Sequence, residues 1–78
     1  MSKLILYYNP VCSYCGKVLR FMAQNKIELP LKDTGQESNR AELIKIGGMS
    51  QVPCLVIDGQ ALYESDDIIE WLKENRVK

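Results

Sequence analysis

Histidine is absent from this chain of 78 residues. That absence removes every Cys–His and Ser–His catalytic arrangement, and every zinc site that needs imidazole. An excess of charge of one sign is absent too: ten Lys and Arg balance ten Asp and Glu. No basic stripe marks a nucleic-acid footprint, and no net field draws an acidic partner from a distance. Long hydrophobic runs are also missing. Met1-Ser2-Lys3 leads into only five apolar residues before Asn9-Pro10, too short for a secretory leader or a membrane span. The expected location is cytoplasmic, away from membranes. Cysteine is scarce, at positions 12, 15 and 54. In a reducing compartment such cysteines read as redox or metal chemistry rather than a structural framework. An odd number leaves at least one thiol unpaired within a monomer.

What is present suits a small globular unit. An apolar fraction of 46% argues against disorder. The length sets one domain, residues 1–78, with a modest core. The apolar run at 4–8 suits a central strand covered on both faces, and Asn9-Pro10 ends it. From 13 to about 25, Tyr14, Val18, Leu19, Phe21 and Met22 recur at helical spacing. Residues 27–31 read as a second strand, with Pro30 suggesting an edge. From about 38 to 46, Ala41, Leu43, Ile44 and Ile46 support a short helix that Gly47-Gly48 stops. Residues 54–57 form a third strand, Asp58-Gly59 a tight turn, and 61–63 a fourth strand. Ser65 is a good N-cap for a last helix, with Asp66 and Asp67 in its first turn. Ile68, Ile69, Trp71 and Leu72 give that helix a buried face. The order is βαβαββα: an α/β fold with a four-stranded mixed sheet flanked by three helices. The first two strands are joined through a helix, so they should run parallel with a right-handed crossover.

Cys12-Ser13-Tyr14-Cys15 sits where the first strand gives way to the first helix. Amide N–H groups point outward there, and the helix dipole favours an anion. A thiol in that place ionises easily, and the thiolate is the reactive form. The second sulfur lies one turn on, close enough to form or break a disulfide. The pair points to thiol–disulfide exchange. A structural zinc half-site is the competing reading, but four-coordinate zinc needs about two more N or S ligands. Only Cys54 remains. Cys54 itself reads as a small buried hydrophobe. Tyr7, Tyr8, Phe21, Met22, Met49 and Trp71 read as packing residues.

Three separated motifs carry a resemblance to the glutaredoxin branch of the thioredoxin fold, spanning residues 4–72. Cys12-Ser13-Tyr14-Cys15 is close to that family's Cys-Pro-Tyr-Cys. Gln51-Val52-Pro53 matches its Thr-Val-Pro, whose proline is cis. Glu64-Ser65-Asp66-Asp67 resembles a blend of its Gly-Cys-Asp-Asp segment and the Glu-Ser pair of glutathione-transferase N-terminal domains. The resemblance implies a glutathione-dependent oxidoreductase acting on protein disulfides or glutathione mixed disulfides. Cys12 would be the nucleophile and Cys15 the resolving thiol. Tyr14 would flank the glutathione groove. Gln51, Val52 and Pro53 would supply a strand edge to its cysteinyl part. Ser65 and Asp66, with Glu64 beside them, would hold its γ-glutamyl end. The implied partners are glutathione and disulfide-bonded or glutathionylated proteins, met by a monomer.

Two positions depart from the pattern. Asn9 stands where the family carries Lys, so a nearby cation is missing, with Lys17 or Arg20 as substitutes. Ser13 stands where proline presets the helix. Some glutaredoxins with a Cys-Ser-Tyr-Cys motif assemble a [2Fe–2S] cluster between two subunits, using the first cysteine and glutathione. The resemblance therefore implies, as alternatives, a cluster-binding dimer with Cys12 as ligand, or an electron carrier coupled to thioredoxin reductase.

Overall fold

The computed structural model describes residues 3–77; Met1 and Ser2, which open the leader reading above, lie outside them. The elements run β1 (Leu4–Tyr8), α1 (Ser13–Gln24), β2 (Leu31–Asp33), α2 (Glu37–Gly47), β3 (Cys54–Ile57), β4 (Gln60–Leu62) and α3 (Ser65–Arg76). The sheet order is β2-β1-β3-β4. β1 pairs parallel with β2, opposing Leu6 to Leu31, and antiparallel with β3, opposing Ile5 to Val56. The mixed four-stranded sheet and the parallel first pair are as the sequence predicts.

Period-two alternation splits the core in two. Leu4 and Leu6 of β1 and Leu55 of β3 face one side, with Val18, Met22, Ile27, Ile68 and Leu72. This layer sits under α1 and α3. Tyr7, Cys54 and Val56 face the other side and meet Leu43 of α2. The unbroken apolar run of β1 is needed because both its faces are covered. Within the second layer the Tyr7 hydroxyl donates to the Glu42 carboxylate, and Lys32 Nζ donates to the same oxygen at 2.6 Å. One contact set thus ties β1, β2 and α2. Burial first, then Glu42, pushes the Tyr7 phenol up.

Five expectations are corrected. The second strand begins at Leu31, not at residue 27. Residues 27–29 are spent returning from α1: Lys26 takes a positive φ of 54° and Ile27 N–H donates to Met22 C=O at 2.9 Å. Pro30 lies just outside the strand, yet its carbonyl accepts from Leu6 N–H at 2.9 Å. The edge position holds. β4 starts at Gln60, because a two-residue turn at Asp58-Gly59, with φ of 49° and 85°, places Ile57 opposite Gln60. The N-cap of α3 is Glu64 rather than Ser65, and no side chain caps that helix. Met49 is exposed rather than packed, and only Leu43 of α2 is buried. Trp71 is half-buried, packed against the α1/α3 layer instead of lying within it.

Gly48 ends α2 in the left-handed region at φ 85°. Gly47 is there for space. A Cβ on it would meet the Tyr63 hydroxyl and lie 2.8 Å from Ala61 Cβ, and Tyr63 is held by donating to Met49 C=O at 3.1 Å. Replacing Gly47 with Ala should therefore cost about 1–3 kcal/mol, the usual range for overpacking. Urea unfolding checks this; a midpoint equal to wild type would show that the contact yields freely.

Candidate functional site

Asn9-Pro10-Val11-Cys12 is a tight turn of the kind those residues favour, with Asn first and Pro second. Asn9 Oδ1 accepts from Val11 N–H at 3.0 Å, and Asn9 C=O accepts from Cys12 N–H at 3.0 Å. The turn leaves Val11 91% exposed. It delivers Cys12 in extended geometry as the N-cap of α1. Cys12 Sγ accepts from Cys15 N–H at 3.3 Å, filling the place an Asp or Ser oxygen takes at other helix starts. The same sulfur lies 3.8 Å from the Val52 carbonyl oxygen, to which the thiol donates. This contact closes α1 against the loop before β3. The Val52–Pro53 peptide is cis.

The three cysteines have different environments. Cys12 is half-buried, while Cys15 and Cys54 are fully sealed. Burial, then the hydrogen bond with Cys12, pushes the Cys15 thiol up to about 12, against the opposing pull of Asn9 N–H. Asn9 N–H donates to Cys15 Sγ at 3.5 Å. Burial pushes Cys54 up to about 11. Cys54 packs beside Tyr7 and Leu43, on the α2 side of the sheet. Cys12 is thus the one cysteine of the three with any exposure.

Beside Cys12 opens a cleft of about 560 Å³. Tyr14, 65% exposed, forms its α1 side. Gln51, Val52 and Pro53 line it from the loop before β3. Glu64, Ser65, Asp66 and Asp67 line it from the start of α3. The structure therefore brings together all seven residues the sequence nominated for a glutathione groove, and adds Asp67. Asp67 was legible as a neighbour of Glu64, since residues three apart share a helix face.

Lys17 does not turn to Cys12. It forms an ion pair with Asp66 across the α1/α3 gap. Arg20 lies back along α1, its guanidinium about a van der Waals contact from where a Gly16 Cβ would sit. Neither replaces a cation at position 9, where Asn9 is committed to the turn. Among the described residues, no three His, Cys, Asp or Glu side chains gather to hold a metal ion. A [2Fe–2S] cluster takes four ligands, so with fewer than three gathered among the described residues, at least two would have to come from elsewhere. No helix among the described residues is long and apolar enough to cross a membrane.

The sealed thiols set a pH order of reactivity. A raised value keeps a thiol neutral, and only the thiolate attacks an alkylating agent. Brief iodoacetamide treatment at pH 7.5 should label Cys12 alone. Cys54 should follow only as the pH nears 11, and Cys15 nearer 12. Mass mapping of labelled peptides reads this; prompt labelling of Cys15 at neutral pH would contradict it.

Comparison with known proteins places the chain by family and fold. The family model for the glutathione S-transferase N-terminal domain matches residues 6–78. Glutaredoxin 3 of Escherichia coli (strain K12) is 30% identical over 71 residues, covering 87% of this chain and 83% of that protein. A delta-class glutathione transferase from Nilaparvata lugens superposes with a TM-score of 0.80 at 32% identity. That match covers 96% of this chain but 37% of the transferase, so the chain spans little more than a third of its length. A thioredoxin-like protein superposes with a TM-score of 0.78 at 27% identity, covering 95% of this chain and 94% of the other.

Proposed function

The chain belongs to the glutaredoxin family of the thioredoxin-like fold, and from that premise we propose that it is a glutathione-dependent thiol–disulfide oxidoreductase. It would act as a single cytoplasmic domain on protein disulfides or glutathione mixed disulfides. The observation that carries this is the position of Cys12: a part-exposed residue capping α1, its sulfur 3.8 Å from the carbonyl oxygen of Val52, which lines a cleft together with the start of α3.

The chemistry follows from that placement. Cys12 thiolate attacks the glutathione sulfur of a mixed disulfide. The Cys12–glutathione bond forms, the old S–S bond breaks, and the protein thiolate leaves and takes a proton. A second glutathione thiolate then attacks the bound glutathione sulfur. Glutathione disulfide departs and Cys12 is returned as thiolate. In sum, one mixed disulfide and one free glutathione become one protein thiol and one glutathione disulfide. For a protein disulfide, Cys12 first displaces one target sulfur. Cys15, losing its proton, then attacks Cys12 Sγ. The bond from Cys12 to the target breaks, and the second target thiolate leaves and takes a proton. Two glutathiones reduce the Cys12–Cys15 disulfide, leaving as glutathione disulfide. The neutral, buried Cys15 suits a thiol held in reserve: it stays out of the first attack and acts when Cys12 is blocked.

Residues of the cleft position the tripeptide. Val52 presents backbone beside the sulfur, as a strand edge does for an extended peptide. The first-turn amides of α3 favour a carboxylate, and Asp66 carries the charge an ammonium seeks. Tyr14 offers an exposed ring against which the chain of the ligand packs.

Single-cysteine variants test the scheme in a glutathione-coupled assay on a small glutathione mixed disulfide. Cys12→Ser should reduce turnover to the uncatalysed rate. Cys15→Ser should keep most of it, because free glutathione completes the second step. Full activity in Cys12→Ser would end the mechanism.

A further inference from the structure

The cleft wall is unusually one-sided in charge. Its lining includes three carboxylates, Glu64, Asp66 and Asp67, and no cation. Lys17, at its edge, is paired with Asp66. Among the described residues, Glu64 and Asp67 have no ion-pair partner. Position 9, on the far side of Cys12, is an amide whose oxygen is spent on Val11 N–H. The opposing influence is the helix starts, each worth about half a positive charge. Three carboxylates against one ammonium and those partial charges leave the wall negative. The groups are solvent-exposed, so the field is modest and salt-sensitive.

We propose that, among disulfides lacking the γ-glutamyl group that the start of α3 would hold specifically, this cleft ranks substrates by charge, taking cationic ones faster than anionic ones, with Lys17 setting the size of that preference by pairing with one wall carboxylate. The proposal rests on the thiol–disulfide reading above. The shared chemistry is a positive charge within a few bonds of the attacked sulfur, borne by a small aminothiol or by a basic residue beside a peptide cysteine. Lys17 is a specificity-determining residue here, because it touches the wall and not the sulfur.

The step tested is a single turnover with no added reductant. Prereduced protein gives two electrons to a small symmetric disulfide. Cys12 displaces one thiolate and Cys15 displaces the other. The products are a Cys12–Cys15 disulfide and two small thiols, which are counted.

Three disulfides of similar length serve as probes: cystamine as dication, bis(2-hydroxyethyl) disulfide as neutral, and 3,3′-dithiodipropionate as dianion. Each rate constant is divided by that for free dithiothreitol, which removes intrinsic reactivity. The expected normalised order is dication, neutral, dianion, spanning about tenfold at low salt. The span should shrink in 0.5 M salt as screening shortens to a few ångströms. Lys17→Gln should widen it by about two- to fivefold, the worth of an exposed charge. Asp66→Asn should narrow it. The double variant restores the wild-type charge of the wall, so it should restore the wild-type span; a merely structural ion pair would leave the double variant altered. A pair of disulfide peptides, with Lys or Glu beside the cysteine, repeats the ranking on protein-like substrates and separates the two sources. Equal or faster reaction of the dianion, or a span that Lys17→Gln leaves unmoved, overturns the proposal and leaves the oxidoreductase reading intact. Absence of any Cys12-dependent reduction of all the probes overturns both.

Discussion

A sulfur caps a helix in this protein, and the rest of the site follows from that contact. Cys12 Sγ accepts the Cys15 amide that opens α1. The same bond fixes where α1 begins, and hence which residues of α1 turn inward. Cys15 and Val18 are buried against the sheet. Tyr14 and Lys17 are turned outward, to the cleft and to α3. Without the cap the two sulfurs would lose their fixed relation, and the cleft its first wall.

The sheet holds that cap still. β1 pairs on both edges, parallel with β2 and antiparallel with β3. It therefore delivers the Asn9–Cys12 turn from a strand buried on both faces. β3 delivers Val52 and Pro53 to the same end of the sheet, because it runs antiparallel to β1. The ends of these two strands meet where Cys12 lies 3.8 Å from the Val52 carbonyl oxygen. α3, packed beside α1 over the Leu4/Leu6 layer, adds its first turn. The cleft is thus a product of topology, and its charge a product of a few exposed side chains.

Much of this was legible in residue order. The Asn-Pro turn, the paired cysteines, the Asp-Gly hairpin and the double glycine at the end of α2 each have a local cause, and local causes are written in adjacent residues. That seven residues would share one cleft was legible through resemblance, because three short motifs fall at the spacing of one fold. Non-local pairings were not legible. Lys17 meets Asp66 from 49 positions away, and Tyr7 meets Glu42 from 35. Nothing local distinguishes those charges from solvated ones. Boundaries failed where a long-range register decided them: pairing with β1 begins β2 only at Leu31, despite the apolar residues before it. Ser65 was read as a cap from its type. The chain turns one residue earlier, which puts Ser65 inside the first turn of α3.

The central claim is that Cys12, the Val52 loop and the start of α3 form one binding surface for a thiol tripeptide. Amide chemical shifts of Cys15→Ser, recorded before and after its Cys12 is joined to glutathione, test it most directly. The account predicts that Val52, Ser65 and Asp66 shift together with the first turn of α1. Shifts confined to residues 11–16, with the loop and α3 unmoved, would contradict it.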